Sequence, residues 1–411
     1  RLCRDWSSDV CSSDLASEVS APAQMLAISL MNFRNLHRRL DSSAVAVVGF
    51  AGVVLVMVAI LSIRAGFRAT LAATGSPDVA IVLRGGSGTE VNSVLGGNSL
   101  DIIGQAPGIA QSTSGPVLSP ELLVQISLKK RASGMHANVS FRGVTPAAFL
   151  VHNRLRMTAG RTFTPGLNEA IVGSDATKFF RGLRLGDELH TGRRRWRVVG
   201  IFDDGGGLHN SEIWTSLPAL QGAYQRGNSV SSVYARLTDA GMFAAFRQSL
   251  QHNPRLNVSV RRESEYFADQ AQGMSLFIAI VGGIIALLMG GGAVFGAVNT
   301  MYTAVAARTR EIAMLRALGF DRLPVLCSVL LESLVLGLVG GIGGGVLAYL
   351  LFNGFEATTF NQFTVMAFRF AVTPRLLGWG ILYALLMGFL GGILPALRAV
   401  RLPIAASLRQ T

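Results

Sequence analysis

Twenty consecutive residues at positions 44–63, A-V-A-V-V-G-F-A-G-V-V-L-V-M-V-A-I-L-S-I, carry no charge, and this run limits the possible folds more than any other feature. A helix needs about 20 apolar residues to cross the hydrocarbon core of a bilayer. The run is too long for the core of a signal peptide and no small-residue cleavage site follows it, so it reads as a retained membrane span. Three more apolar segments lie far downstream. Residues 270–307 contain no charge, which is longer than one span needs. The span is placed at 274–307, with the preceding part expected to project from the membrane as a helical stalk. A third span is expected at 325–355, with one acid, Glu332, near its start, and a fourth at 376–397. Composition agrees: half of the residues are hydrophobic, 15% are charged, and 47 are glycine, a residue used where helices pack closely in lipid.

Loop charge orients the spans. Arg34, His37, Arg38 and Arg39 precede the first. Arg308, Arg310, Arg316 and Arg322 lie between the second and third, and Arg398, Arg401 and Arg409 follow the fourth. The loop at 356–375 carries only Arg369 and Arg375 as basic residues. Basic residues concentrate on the cytoplasmic side, so both termini (16–43 and 398–411) and the 308–320 loop are expected there, with 64–273 outside. The expected fold class is an integral membrane α-helical protein with four transmembrane helices, plus a mixed α/β extracytoplasmic domain inserted between the first and second spans.

Residues 1–15 are set aside. The stretch 4–15, R-D-W-S-S-D-V-C-S-S-D-L, is what codon-by-codon translation of a sequencing-adapter oligonucleotide yields, and it reads as an assembly artefact. Met25 and Met31 are the candidate start residues. Cys3 and Cys11 leave with the artefact, so only Cys327 remains, and neither a disulfide framework nor a cysteine metal site is expected.

Between 64 and 273 the pattern changes to short segments interrupted by turn residues, as in a mixed α and β domain. Strands are expected at 78–83, 122–128, 138–142, 170–172, 195–201, 232–237 and 257–261, and helices at 147–152, 175–181, 217–224 and 239–251. The 195–201 strand is expected to pair with 185–190 through a turn at Thr191 and Gly192. This region holds 23 Lys or Arg against 15 Asp or Glu, so an exterior domain of this charge would attract anionic headgroups, envelope polymers or an acidic partner. The run R-R-R-W-R at 193–197 reads either as a nucleic-acid contact or as a charged edge that discourages strand pairing. Its place outside the cytoplasm favours the edge, and no nucleic-acid partner is expected.

Pairs of glycines four residues apart, Gly292/Gly296, Gly340/Gly344, Gly341/Gly345 and Gly388/Gly392, put side-chain-free positions on one helix face. They mark helix packing, either within one subunit or across a dimer.

The segment R-T-R-E-I-A-M-L-R-A-L-G-F at 308–320 lies between the second and third spans. Ile312, Leu315 and Leu318 recur at threes and form an apolar stripe, with Arg308, Glu311, Ala313, Arg316 and Ala317 on the other faces. Gly319 is placed to cap it. So short a helix is marginal alone in water and needs a surface for its stripe, either lipid headgroups or protein. The segment resembles the cytoplasmic coupling helix of FtsX/MacB-type ABC transporter permeases, with its R-x-R-E-I-x-x-L-R-A-L-G pattern. The resemblance extends to G-V-T-P at 143–146, A-G-R at 159–161, Gly186-Asp187, V-V-G-I at 198–201, and the family's P-A-x-x-A-x-x-x-P-I-x-A-L-R pattern at 395–409, with Ser407 where Ala is usual. It implies a coupling site made of Arg308, Arg310, Glu311, Ile312, Leu315, Arg316, Ala317, Leu318 and Gly319. It also implies an ABC ATPase subunit as partner, a homodimer or heterodimer with a similar permease, contact with membrane lipid, and in some systems a periplasmic adaptor. The implied location is the bacterial inner membrane. The implied mechanism is mechanotransmission, in which ATPase movement is carried to the exterior domain.

Catalytic motifs are absent from the sequence. There is no G-x-x-x-x-G-K-[ST], so no cofactor is expected in this chain and Mg-ATP is expected in the partner. There is no H-E-x-x-H or G-x-S-x-G, and the six histidines are scattered singly, so neither a catalytic residue nor a metal is expected. Glu332 is expected to reach Arg322 or water, in a structural role or in one in transport. Two further readings belong to other classes: a regulatory transducer that controls an envelope hydrolase, and a stand-alone membrane receptor.

Overall fold

A computed structural model describes residues 40–113, 115–191, 194–317, 321–361 and 364–401. The adapter-like segment, Met25, Met31, the four basic residues before the first span, Gly192, Arg193, Leu318, Gly319 and Arg409 lie outside the described residues. In chain order the elements are α1 (Leu40–Thr74), β1 (Val79–Arg84), α2 (Gly97–Gly104), β2 (Gln111–Ser112), β3 (Gly115–Pro116), β4 (Leu118–Lys129) and β5 (His136–Val144). Then come α3 (Ala148–Val151), β6 (Arg156–Gly160), β7 (Glu169–Gly173), α4 (Ser174–Phe179), β8 (Glu188–Thr191), β9 (Arg194–Asp203) and β10 (Ile213–Ser216). The remainder are α5 (Leu217–Ala223), β11 (Ser232–Arg236), α6 (Phe243–Gln251), β12 (Val258–Arg262), α7 (Glu263–Ala307), α8 (Thr309–Ala317), α9 (Arg322–Phe352), β13 (Glu356–Asn361), β14 (Thr364–Arg369) and α10 (Pro374–Arg401).

The chain divides into two compact units. The helical unit takes the described residues up to Ile63, Ile278–Gly354, and those from Ala371 onward; the sheet unit takes Arg64–Phe277 and Phe355–Phe370.

Among the described residues, four helices, within α1, α7, α9 and α10, are long and apolar enough to cross a membrane. Helix α1 continues past the expected limit at 63. Arg64 and Arg68 are sound helix formers, and the first stop is the Gly75-Ser76-Pro77 sequence. Helix α7 has 45 residues, about 68 Å at 1.5 Å per residue. It exposes Leu276, Phe277, Ile280, Ile284, Leu287, Leu288 and Phe295, side chains that are costly in water and at home in lipid.

Glycines set the close approaches of the helical unit. A Cβ on Gly344 would fall 2.3 Å from the Ala51 carbonyl oxygen, and one on Gly340 would fall 2.7 Å from Phe50 Cβ, so this face of α9 lies directly on α1. On the other side, Gly341 meets the Ala384 side chain, Gly392 the Ser333 side chain and Gly388 the Ser333 carbonyl, joining α9 closely to α10. The Ser333 hydroxyl donates to the Gly388 carbonyl. These glycines therefore pack within one chain. Gly292 and Gly296 face nothing within 4 Å.

The sheet unit is built on a ten-stranded mixed sheet in the order β12-β1-β11-β4-β5-β10-β7-β9-β6, with β8 paired to β9. Strands β5 and β10 run parallel, as do β7 and β9. Both faces are covered, which is why β1 reads V-A-I-V-L without alternation. On one face Leu122, Val124, Val139, Phe141 and Trp196 pack against Ile103, Leu220, Phe246 and Leu250 of the helices. The other face holds Val144, Ala148, Phe163, Ile171, Phe202 and Trp214, together with a buried polar cluster.

Several elements depart from the sequence reading, which named neither α2 nor the strands β2, β3 and β6. Strand β10 lies centrally between β5 and β7 although its four residues, I-W-T-S, show no usable period. Residues 356–361 and 364–369, read as part of a plain external loop, pair as β13 and β14 within the sheet unit. Glu356 ties these strands down, accepting from Arg369 at 2.9 Å and from Lys178 at 3.0 Å.

Candidate functional site

Nine residues form α8, and the segment turns on what each face meets. Ile312 and Ala313 are buried, and Leu315 is half-buried. Ile312 and Leu315 line a cleft with Met301 and Val305 of α7 and Val325 and Val329 of α9. The apolar stripe thus finds its surface in this chain's own helices. Arg310, Glu311, Met314 and Ala317 are exposed. Arg316 is half-buried and donates to the Val400 carbonyl at 2.9 Å, holding α8 to the end of α10.

Arg308 was expected on a face away from the apolar stripe, and that face is buried at its position. It sits at the joint between α7 and α8, 6% exposed, and its Nη1 lies 3.0 Å from Glu332 Oε2. Glu332 therefore pairs with Arg308 and not with Arg322. Arg322 starts α9, ten positions earlier and about 15 Å away along the axis, whereas Arg308 enters the cleft directly. Both partners are largely shielded, so removing one would leave a poorly solvated charge.

Family-type motifs in the sheet unit occupy positions set by backbone geometry. Gly160, at φ +73°, would place a Cβ 2.2 Å from the Val199 carbonyl oxygen. Next to it, Arg161 grips Glu169 with two hydrogen bonds and holds its carboxyl down at about 2. Gly186-Asp187 forms the turn into β8, where the Asp187 carboxylate accepts from the Arg184 amide. In the 193–197 run, exposed Arg195 and Arg197 flank the fully buried Trp196, so the charges are the solvent face of β9.

Sequence reasoning missed the polar cluster on the second face of the sheet. Arg142, on β5, is fully buried and donates to Glu90, Glu121 and Glu212 at 2.8 to 3.2 Å. In sequence Arg142 alternates with His136, Asn138 and Ser140 along β5, a pattern that reads as a solvent face and hid its burial. His152 and His209, read as isolated, come together beside it with ring centroids 4.9 Å apart. With Glu263 they form, among the described residues, a group whose donor atoms could hold a metal, all within 4.8 Å of one another. Their separation in sequence hid this.

Two family models match the chain: the MacB-like periplasmic core domain over residues 43–253 and the FtsX-like permease C-terminal over 283–404. The fold and its matched halves thus define an ABC transporter permease, a multi-pass membrane protein. The chain belongs to the FtsX/MacB-type permease family.

It is 27% identical to an uncharacterized ABC transporter permease, YknZ, of Bacillus subtilis, over 69% of this chain and 73% of that protein. It is also 27% identical to a macrolide export ATP-binding/permease protein MacB of Hyphomonas neptunium, over 93% of this chain and 61% of that protein. Against a MacB of Vibrio parahaemolyticus the chain spans only 38% of the relative's length. Among solved structures, the extracellular domain of YknZ aligns with 45% of this chain and all of that one, at 16% identity and a TM-score of 0.34.

Proposed function

We propose that this chain is the membrane subunit of a mechanotransmission-type ABC transporter, driven by a separate ATPase. The observation that carries the reading is the face of α8. Its apolar side is occupied by α7 and α9, yet Arg310, Glu311, Met314 and Ala317 stay exposed on a helix anchored at both ends, by Arg308 to Glu332 and by Arg316 to Val400. Such an anchored charged face is suited to receive a push from a partner without bending. Under this reading α8 and both termini are cytoplasmic, the sheet unit is outside, and two permease chains work with two ATPases. Helix α7, unbroken from the end of β12 to the start of α8, acts as the connecting rod. Closing of the ATPases on ATP would displace α8, and α7 would carry that displacement to the sheet unit for export or extraction of an envelope substrate.

Affinity isolation of the chain from native membranes, followed by mass spectrometry, tests the reading. Co-isolation of a P-loop ATPase in near-equal amount is expected, and its absence from membranes solubilised gently would contradict the proposal.

A further inference from the structure

The buried face of the sheet unit carries a charge imbalance. Glu90, Glu121, Asp204, Glu212 and Glu263 are all nearly inaccessible, and Arg142 is the buried guanidinium beside them. Five buried carboxyl groups beside one guanidinium have to be neutralised, by protonation or by further positive charge.

The orientation of the two imidazoles says where a cation belongs. His152 Nε2 lies 3.0 Å from Glu121 Oε1, and His209 Nδ1 lies 3.0 Å from Glu212 Oε2. Each ring thus turns one nitrogen to a carboxylate and leaves the other, His152 Nδ1 and His209 Nε2, facing Glu263. His152 Nδ1 is 3.7 Å from Glu263 Oε1. His209 Nε2 and Glu263 Oε1 have no hydrogen-bond partner, although both are fully buried, and Asp204 Oδ2 is in the same condition. Histidine ligands of metals commonly donate their second nitrogen to a carboxylate, which fixes the tautomer and raises the basicity of the ligating nitrogen. Here that outer layer is itself fixed. Arg142 holds the far oxygens of Glu121 and Glu212 at 2.8 Å, and Trp214 Nε1 donates to Glu212 at 2.7 Å. The opposite oxygen of Glu263 accepts from the Ser76 amide at 2.8 Å.

We infer that His152 Nδ1, His209 Nε2 and Glu263 Oε1 form a binding site for a divalent transition-metal ion, with zinc the ion that two imidazoles and one carboxylate suit best. Ligands about 2.0 to 2.1 Å from a tetrahedral ion lie about 3.4 Å from each other, so His152 Nδ1 and Glu263 Oε1, 3.7 Å apart, are near that spacing and the third donor has to close in from within 4.8 Å. The ion adds positive charge beside the carboxyl groups and gives the orphaned His209 Nε2 and Glu263 Oε1 a partner. It also joins three separate pieces of chain: the residue after α3, the turn before β10, and the first residue of α7. Its role is to clamp the root of α7 to the sheet. This inference does not depend on the transport reading.

The test uses the full chain in detergent with an affinity tag free of histidine. Metal content is measured by inductively coupled plasma mass spectrometry after equilibrium dialysis against chelator-buffered zinc, and zinc K-edge absorption reports the ligands. One tightly held zinc per chain is expected, with two imidazoles and a carboxylate and no sulfur. His209→Gln and Glu263→Gln are expected to weaken binding by about tenfold or more. The wild-type result decides the matter even if a variant fails to fold. Wild-type protein that retains no zinc, zinc with sulfur ligands, or undiminished binding in folded variants would each overturn the inference.

Discussion

Replacing Arg142 with Met keeps most of the side-chain volume and removes the charge at the centre of the buried polar cluster. Arg142 is fully buried and satisfies Glu90, Glu121 and Glu212 through hydrogen bonds of 2.8 to 3.2 Å. Breaking a buried ion pair by removing one partner costs about 3–5 kcal/mol, because the other charge stays behind unsolvated. A domain of roughly 200 residues loses about 2–4 °C in Tm per kcal/mol, so the sheet unit should melt about 6–20 °C lower. Intrinsic fluorescence is a suitable assay, since the fully buried Trp214 donates to Glu212 and reports on the cluster directly. Arg142→Lys should fall between wild type and Met, because an ammonium restores charge but not the planar fork. A Tm for Arg142→Met within about 2 °C of wild type would refute the argument that this guanidinium neutralises the cluster.

Packing of α9 on α1 gives a second prediction. Gly344→Val would press a Cβ to within 2.3 Å of backbone and should cost about 1–3 kcal/mol, whereas Gly343→Val, which meets nothing within 4 Å, should be nearly silent. Size-exclusion profiles and Tm values in detergent compare the two. Glu311→Lys reverses a charge on the exposed face of α8 and should abolish co-purification of the ATPase while leaving the chain inserted and its Tm unchanged; retained co-purification would count against coupling through this face. Leu315→Asp should do the same, but it also strikes the cleft between α7 and α9, so a lowered Tm is expected with it. The Glu169 carboxyl is held at about 2 in the folded chain by its hydrogen bonds to Arg161, against an ordinary value of 4.5. A depressed acid stabilises above its unfolded value and loses that contribution as pH falls through the folded one. The Tm gap between wild type and Glu169→Gln should therefore be full above pH 4.5 and close towards pH 2; a gap independent of pH would contradict the assignment.

The helical half was legible because a long uncharged run has few physical alternatives, and because glycines four apart label a packing face. Which face meets which helix was not legible. Gly344 finds α1 and Gly388 finds α9 only through tertiary arrangement. Most strands of the sheet could be read from their apolar runs, but β10 could not, since four residues are too few to show a period. On α8, spacing identified Ile312 and Leu315 as an apolar stripe but not that α7 and α9 would cover them. Arg308 and Glu332 lie 24 positions apart, and pairing an acid with its nearest basic residue in sequence pointed to the wrong arginine. The histidine cluster was least visible, because no local motif precedes a site assembled from a helix end, a turn and the root of another helix.

The central claim is that an ATPase engages the outward face of α8. A photo-crosslinking amino acid placed at Met314, which is exposed between Arg310 and Ala317, tests this at residue resolution in intact membranes. The account predicts a single major adduct containing a P-loop ATPase, lost when Glu311→Lys is added. Adducts to lipid alone, or to a protein on the outer side of the membrane, would contradict it.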